Sequence, residues 1–225
     1  MNLSMDFDEL KDVFGLIIKS HRIGRHILHI AEVEQVDNMV AEIYPGGVTV
    51  HGDAPVWMIT WPAALAMAEH LLFCESLKEK QVLELGCGTA APGIAAALAG
   101  AHVVSTDYDP LALALARYNG KHNECPHFKT HILDWYKPDL EGHFEYVIGS
   151  EVVYFAESYQ PLLNVLSTYL APGGRIILSD QWRPQMKIFL RECREIGFTV
   201  EQYRTVVHLP EKSWPVRITI LTRGA

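Results

Sequence analysis

The sequence predicts an α/β fold in which helices pack on both faces of a doubly wound, mainly parallel sheet. Short apolar segments typical of buried strands alternate with helical patterns from residue 81 onward. A glycine-rich turn, Gly86-Cys87-Gly88, follows the first of these segments, and acidic side chains follow several of the others. Because ligands bind at the carboxyl ends of strands in such sheets, the same observations indicate a binding site.

The chain is organised around residues 81–109. A predicted strand over residues 82–85 leads into the glycine turn, and a helix of small residues and a second strand ending at Asp107 follow. Gly86 and Gly88 permit a tight turn and a close approach of the backbone to a ligand. An acid at the end of the second strand can accept hydrogen bonds from both hydroxyls of a ribose. The pattern therefore predicts a ligand that carries an adenosine-like ribose.

Glu84 distinguishes between two classes of nucleotide. Residues 86–91 satisfy the dinucleotide pattern G-x-G-x-x-A, and Asp107 follows at about the ~20-residue distance expected for that pattern. A carboxylate two residues before Gly86, at the mouth of the site, would repel a pyrophosphate and attract an ammonium and a sulfonium group. The sequence therefore favours S-adenosylmethionine over NAD.

The first 55 residues contain weaker signals. The predicted elements are one amphipathic helix over residues 6–20, strands over residues 26–31 and 39–44, and a turn over residues 45–47. His21, His26 and His29 fit neither one helix face nor one strand face. We therefore expect ordinary strand and loop histidines rather than metal ligands.

Two tryptophans, Trp57 and Trp61, precede a predicted helix that begins at Pro62, with Thr60 as its cap. Proline suits the first turn of a helix, where its missing N–H would have no partner in any case. The tryptophans either pack in the core or cover a pocket, and the sequence leaves both interpretations open.

Polar residues follow the predicted strands of the second half. The predicted elements there are helices over Pro110–His122 (capped by Asp109), 158–170 and 184–196 (ended by Gly197), strands over 128–133, 144–149, 175–180, 198–204 and 216–222, and a turn over 172–174. Asp134 follows the strand after the Asp109 helix, and Ser150, Glu151 and Tyr154 follow the next one. Because parallel strands share one carboxyl edge, we expect these residues to line the same rim as Glu84 and Asp107.

Composition argues against nucleic acid and membrane partners. The 225-residue chain carries a net charge of −8, whereas phosphate neutralisation dominates nucleic-acid binding. Arg183, Lys187, Arg191 and Arg194 recur at helical spacing, and we expect a solvated helix face there. No run of 18 apolar residues occurs. The acidic start lacks the features of a signal peptide, and four cysteines without C-x-x-C spacing predict a reduced, cytoplasmic protein.

Five motifs resemble those of the seven-β-strand S-adenosylmethionine-dependent methyltransferases: residues 84–89, 106–109, 133–135, 151–154 and 170–175. Trp61-Pro62 together with Glu151-Val-Val-Tyr154 is similar, more narrowly, to the protein-lysine methyltransferases that modify electron-transfer flavoprotein β, calmodulin and chaperones. The resemblance runs from about residue 60 to the end. It implies a Rossmann-like, seven-stranded sheet whose last strand is antiparallel. The family usually carries aspartate where this chain has Glu151.

The resemblance also implies a role for each matched residue. The cofactor-binding residues would be Trp61 and Ser150, with Glu84, Gly86, Cys87 and Gly88 at the methionine part, Asp107 at the ribose, and Tyr108, Asp134 and Trp135 at the adenine. Glu151 and Tyr154 would orient an acceptor amine and receive or relay its proton. No metal is expected. Residues 1–55 lie outside the resemblance, and from their own helix and strand patterns we expect a helix/β-hairpin extension packed on a methyltransferase domain of residues 56–225.

Three interpretations of the acceptor remain open from the sequence. The preferred one is a lysine amine of a protein substrate, which suits an open acidic rim. The second is a small-molecule N- or O-methyltransferase, in which residues 1–55 close a deep pocket. The third is a non-catalytic protein that retains the fold, against which the intact Glu84, Gly86, Gly88 and Asp107 weigh.

Overall fold

A computed structural model describes residues 7–33, 56–210 and 212–224. Its helices are α1 (Phe7–Phe14), α2 (Pro62–Phe73), α3 (Ala91–Leu98), α4 (Pro110–His122), α5 (Tyr159–Tyr169) and α6 (Gln185–Glu195). Its strands are β1 (Leu16–Ile23), β2 (His26–Val33), β3 (Gln81–Leu85), β4 (His102–Asp107), β5 (Phe128–Ile132), β6 (Phe144–Ser150), β7 (Leu170–Asp180), β8 (Phe198–His208) and β9 (Ser213–Arg223). Short 3-10 turns cover Val56–Met58 and Ala156–Ser158.

Seven strands form one sheet in the order β5-β4-β3-β6-β7-β9-β8. β9 runs antiparallel to both of its neighbours, and the other pairs are parallel. This arrangement confirms the predicted Rossmann-like sheet with an antiparallel last strand. The chain proceeds outward from β3 to β5 and then returns to place β6 on the other side of β3. A cleft opens at such a reversal, between the carboxyl ends of β3 and β6.

The central strands are buried because helices cover both faces of the sheet. Leu162, Leu166 and Phe189 of α5 and α6 belong to the core on one face. Met67 and Leu71 of α2 belong to the core on the other. Val82, Leu83 and Leu85 of β3 are all 0% exposed, which explains why apolar residues face both sides of that strand rather than alternating with polar ones.

The N-terminal segment departs from its predicted structure. The predicted helix over residues 6–20 is wrong beyond α1, because Gly15 adopts φ +60° and the chain continues as β1. β1 pairs with β2 as an antiparallel hairpin, a long-range contact that helical periodicity alone does not reveal. The strand predicted over residues 26–31 is confirmed by β2. The strand and turn predicted over residues 39–47 lie outside the described residues.

Two asparagine side chains attach this hairpin to α4. The Asn119 amide accepts from the Ala31 N–H (2.8 Å) and donates to the Ala31 carbonyl (3.2 Å). One turn later, Asn123 makes the same pair of bonds with His29 (2.9 and 2.7 Å). Buried backbone groups need hydrogen-bond partners, and here two side-chain amides supply them along the edge of β2. The hairpin is therefore held against the layer of helices by its backbone as well as by apolar packing.

Two boundary predictions also differ from the structure. The turn predicted over residues 172–174 lies inside β7, where pairing with β6 passes from Phe144–Leu170 to Tyr146–Arg175 across a bulge. The final strands extend further than predicted, so the loop between them is short. The predicted caps of α4 and α6 are confirmed: the Asp109 carboxylate accepts from the Leu111 N–H (2.8 Å), and Gly197 follows α6 with φ +93°.

Candidate active site

The turn between β3 and α3 requires glycine at two positions. Gly86 and Gly88 have φ +59° and +50°, a region that other residues rarely adopt. A Cβ on Gly88 would also lie 3.0 Å from the Trp57 carbonyl oxygen, and one on Gly86 would lie 3.1 Å from the Val152 side chain. The Cys87 N–H donates to the Thr106 carbonyl (2.9 Å), which ties the turn to β4. The turn therefore has no room for a Cβ at Gly86 or Gly88, because the Val152 side chain and the Trp57 backbone lie close to it.

The Glu84 carboxylate lies beneath the turn rather than at the mouth of the site, so the predicted position of this group is wrong. Glu84 is 2% exposed, and its two oxygens accept from the Gly93 N–H (3.0 Å) and the Ser105 hydroxyl (2.5 Å). Burial raises the pKa of Glu84 to about 7 despite these hydrogen bonds. A Cβ on Gly93 would collide with the carboxylate. The carboxylate thus joins β3, β4 and the first turn of α3.

Asp107 occupies the position expected for a residue that binds ribose hydroxyls. One oxygen accepts from the Gly88 N–H (3.1 Å) and the other from the Asp109 N–H (3.1 Å). Burial raises the pKa of Asp107 to about 6. A carboxylate has about four lone-pair positions, so these backbone donors leave acceptor capacity on Asp107. We call Glu84, Gly93, Ser105, Asp107 and Gly88 the glycine-turn cluster.

The remaining predicted cofactor residues lie around this turn in different environments. Trp135 is half-buried, and its indole lies 3.8 Å from the position of a Cβ on Gly86. Asp134 is exposed and accepts from the Tyr136 N–H (2.9 Å), and Tyr108 is 66% exposed. The Cys87 thiol is buried, which raises its pKa and keeps it protonated.

Ser150 supplies a polar atom without a partner among the described residues. Its hydroxyl oxygen is buried at the end of β6 and makes no hydrogen bond there. Buried hydroxyls normally have a partner, and an orphan beside a glycine turn is expected where a ligand binds. The glycine cradle, the Asp107 carboxylate and this hydroxyl therefore fit a nucleoside ligand with a polar tail.

Trp57 and Trp61 belong to the segment that packs on the turn. The Trp61 indole N–H donates to the Val56 carbonyl (3.0 Å), and the Trp57 backbone contacts Gly88. Trp61 itself precedes α2 as its cap residue, so the prediction of Thr60 in that role is wrong. The Thr60 hydroxyl instead lies 3.2 Å from that of Thr89, and its N–H donates to Glu32 (2.9 Å). These contacts connect β2 to the glycine turn.

The residues that follow β6 form a second buried cluster. Glu151 is 4% exposed and has φ +54°, an uncommon conformation for a residue with a side chain. Its carboxylate accepts from the Gln181 N–H (2.8 Å) and forms an ion pair with Arg183. The Arg183 guanidinium carbon also lies 4.3 Å from the centre of the Tyr154 ring. Arg183 thus lies between Glu151 and Tyr154, whereas the sequence predicted this arginine on a solvated helix face.

A second ion pair fixes the backbone of Arg183. Asp180 accepts two hydrogen bonds from Arg217 (2.9 and 2.7 Å) and one from the Arg183 N–H (2.8 Å). Arg217 further donates to the Arg183 carbonyl (3.2 Å) and stacks on Trp182, 5.0 Å from the ring centre. Glu151, Tyr154, Asp180, Arg183 and Arg217 are called the Arg183 cluster below.

Sequence reasoning missed most of this second cluster. Arg183 was expected on a solvated helix face, but it precedes α6 and its side chain is 30% exposed in the ion pair. Asp180 could have been found, since it ends a predicted strand as Asp107 does. Arg217 lies within an antiparallel strand and gave no signal.

His21 and His29 make polar contacts within the β1–β2 hairpin. Within the three described ranges, no group of three or more His, Cys, Asp or Glu side chains is arranged to hold a metal ion. His29 lies 2.9 Å from the Ser20 hydroxyl, and His21 lies 3.8 Å from the Glu32 carboxylate. No helix among the described residues is long and apolar enough to cross a membrane.

Comparison with known proteins gives one family and several similar folds. A family described as lysine methyltransferase matches residues 51–195. Protein N-lysine methyltransferase METTL21A of Xenopus tropicalis is 32% identical over 152 residues, which cover 63% of this chain and 68% of that protein. Protein N-terminal and lysine N-methyltransferase EFM7 of Candida glabrata is 28% identical over 229 residues and covers 89% of both. Magnesium protoporphyrin IX methyltransferase of Synechocystis, solved with bound SAM, has a TM-score of 0.59 at 19% identity and covers 85% of this chain and 92% of that one, a likeness of fold.

Proposed function

The chain belongs to the lysine methyltransferase family, and on that premise we propose that it methylates the side-chain amine of a lysine in a protein substrate. It is an S-adenosylmethionine-dependent methyltransferase. When bound, S-adenosylmethionine supplies a methyl group on a sulfonium sulfur that is already a good leaving group. The protein therefore has to hold the cofactor, exclude water and align a neutral amine.

The glycine-turn cluster supports the proposed cofactor site. The backbone of Gly86, Cys87 and Gly88 and the Ser150 hydroxyl would hold the methionine part, and Asp107 would accept from the ribose hydroxyls. Tyr108, Asp134 and Trp135 would surround the adenine, and Trp61 would support the turn. Glu84 would act by keeping the turn in shape, since both of its oxygens are occupied beneath it.

The acceptor side of the proposal depends on Glu151 and Tyr154. Burial raises the pKa of Tyr154 to about 12, so its hydroxyl stays protonated and can both donate and accept a hydrogen bond near neutral pH. Burial also raises the pKa of Glu151, which makes it a stronger base than an exposed glutamate. We propose that the hydroxyl and the carboxylate orient the amine and that Glu151 receives its proton.

One observation carries this proposal: Glu151 and Tyr154 follow β6, the strand that pairs with β3 and its glycine turn. This pairing supports the proposal, because it brings Glu151 and Tyr154 close to the glycine turn at adjoining strand ends. The test is a transfer assay with radiolabelled S-adenosylmethionine and a lysate of the source organism. We expect a labelled protein whose label is lost on changing one lysine to arginine. Label found only in small molecules would instead support the alternative acceptor.

We further propose that the protein acts in the cytoplasm on protein substrates, without nucleic acid or membrane partners. Its four cysteines are free, and its net charge is −8.

We also propose the division into an extension of residues 1–55 and a methyltransferase domain of residues 56–225. The amide-mediated attachment of β2 to α4 supports an extension that packs on the domain.

A further inference from the structure

Given the proposed lysine acceptor, we infer that Arg183 is a positioning residue that sets the charge of the acceptor pocket. A lysine would enter beside a Glu151–Arg183 pair whose net charge is zero, rather than beside a lone carboxylate. The amine can then lose its proton before methylation. This role goes beyond the Glu151 and Tyr154 motif, because it assigns a function to a third residue from a different strand end.

The geometry places Arg183 between the two proposed acceptor residues. Its Nε donates to the Glu151 carboxylate, and its guanidinium carbon lies 4.3 Å from the centre of the Tyr154 ring. The Glu151 side chain is 2% exposed, whereas that of Arg183 is 30% exposed. Arg183 is thus the more open member of the pair, and the proposal places the substrate lysine on its side. Planar guanidinium groups suit such combined pairing and stacking better than an ammonium group does.

The surrounding charges indicate why Arg183 matters. Among the described residues, the charged or titratable groups that face it are Glu151 and Tyr154 after β6, Asp180 of β7 and Arg217 of β9. Arg217 already pairs with Asp180 through two hydrogen bonds, so these two charges offset each other. Arg183 is then the cation that offsets Glu151. A positive charge near an amine lowers the pKa of that amine, and a lone carboxylate raises it.

Removing the guanidinium should therefore raise the pKa of the bound substrate amine. The activity at saturating substrate rises with pH as this amine loses its proton. In Arg183→Met we expect the increase of kcat with pH to occur about one pH unit higher than in wild type. Neighbouring charges shift pKa values by about 1–3 units. Arg183→Lys retains the charge. The midpoint of its increase of kcat with pH should therefore stay within about 0.3 pH units of wild type. Glu151→Gln removes the opposite charge and should move the rise to lower pH.

The experiment measures kcat against pH from about 6 to 10 for wild type, the three variants and Arg191→Met. Arg191 is a matched control, because its side chain is 70% exposed and its ion pair within the described ranges is an i,i+4 pair with Glu195. Isothermal calorimetry with S-adenosylhomocysteine shows whether each variant retains the folded cofactor site. The substrate is the protein identified by the labelling assay.

The outcomes separate this inference from the function on which it depends. If wild type methylates no lysine, the proposed function fails. If wild type is active but the profile of Arg183→Met coincides with that of wild type, or a loss of activity is equal at every pH, the inference is overturned. An equal shift of the pH profile of kcat in Arg183→Lys and Arg183→Met would also overturn it. The shape of the guanidinium, rather than its charge, would then matter. An Arg183→Met that binds no S-adenosylhomocysteine shows a structural role and overturns it as well.

Discussion

Glu84 and Glu151 lie at or just beyond the carboxyl ends of two paired strands, β3 and β6, and both are almost completely buried. Their surroundings differ. Among the described residues, Glu84 has only neutral partners, the Gly93 N–H and the Ser105 hydroxyl. Glu151 has a backbone N–H and the Arg183 guanidinium. The first carboxyl is closed off beneath the turn, and the second faces a cation that is itself partly open to solvent.

This difference indicates that the two carboxyl groups have different roles. A buried carboxyl with neutral partners is held most stably as the protonated acid, which suits a group that joins secondary structure. A carboxylate paired with arginine keeps its charge and has a partner that can move or exchange, which suits contact with a charged substrate. The glycine-turn cluster is thus expected to govern folding and cofactor affinity, and the Arg183 cluster is expected to govern turnover.

The largest expected effect is on turnover in Glu151→Gln. The amide keeps the shape of the side chain and can still accept from the Gln181 N–H, but it cannot receive a proton. We expect kcat to fall by about 100-fold or more, which is typical for loss of a proton acceptor. The affinity for S-adenosylhomocysteine should stay within about twofold of wild type. Full turnover would show that Glu151, like Glu84, is a structural residue. It would contradict the proposed difference between the two carboxyl groups.

The next effect is on cofactor affinity in Asp107→Ala. Loss of a charge-assisted acceptor should weaken binding of S-adenosylhomocysteine by about 1.5–3 kcal/mol. Calorimetry measures this directly. Asp139→Ala is the matched control, because the Asp139 side chain is 69% exposed and its ion pair among the described residues is with His131. Equal affinity in Asp107→Ala and wild type would assign the ribose contact to another residue.

Glu84→Gln should change stability and its dependence on pH. The pKa of Glu84 is about 7 in the folded protein, above its ordinary value of 4.5. The folded state therefore binds more protons than the unfolded state between these values, and stability is lost as pH rises through 7. Glutamine can still accept from the Gly93 N–H, and its NH2 group can donate to the Ser105 hydroxyl, without a charge. We expect the variant to match wild type near pH 5 and to exceed it by about 2 kcal/mol at pH 8.

Urea unfolding of the cofactor-free protein at pH 5 and pH 8 measures this difference. Glu195→Gln serves as the control, since the Glu195 side chain is 65% exposed. Glu151→Gln should instead be destabilised at pH 8, because it leaves Arg183 without its charged partner. A stabilised Glu151→Gln, or a Glu84→Gln with the wild-type dependence on pH, would contradict the contrast between the two carboxyl groups.

The smallest expected effect is in Tyr154→Phe. The ring and its stacking with Arg183 remain, and only the hydroxyl is lost. We expect kcat to fall about tenfold, the size of one hydrogen bond of about 1.4 kcal/mol, with unchanged cofactor affinity. Full activity on an identified lysine would remove Tyr154 from the mechanism. It would also favour an acceptor other than lysine.

Sequence alone was sufficient for the parts of the site that depend on local geometry. Gly86 and Gly88 are needed because the backbone has positive φ at both positions. Two glycines directly after an apolar segment already predict such a turn. Asp109 caps α4 from the residue directly before it, again a local effect. The position of Asp107 follows from the length of a strand. These features depend on residues that are neighbours in the chain, so a short segment of sequence is enough to predict them.

Tertiary structure decided the features in which distant residues meet. Residues 16–23 became a strand because β2 offered a partner, although part of their pattern suited a helix. Arg183 pairs with Glu151, 32 residues away, only because β6 and β7 lie side by side and end together. The Glu84 carboxylate turned inward because Ser105 and Gly93 provide donors there, and Gly93 has no Cβ to exclude it. Charge, burial and partner choice are properties of the packed sheet, so the sequence determined where the polar groups stand and packing determined which of them are paired.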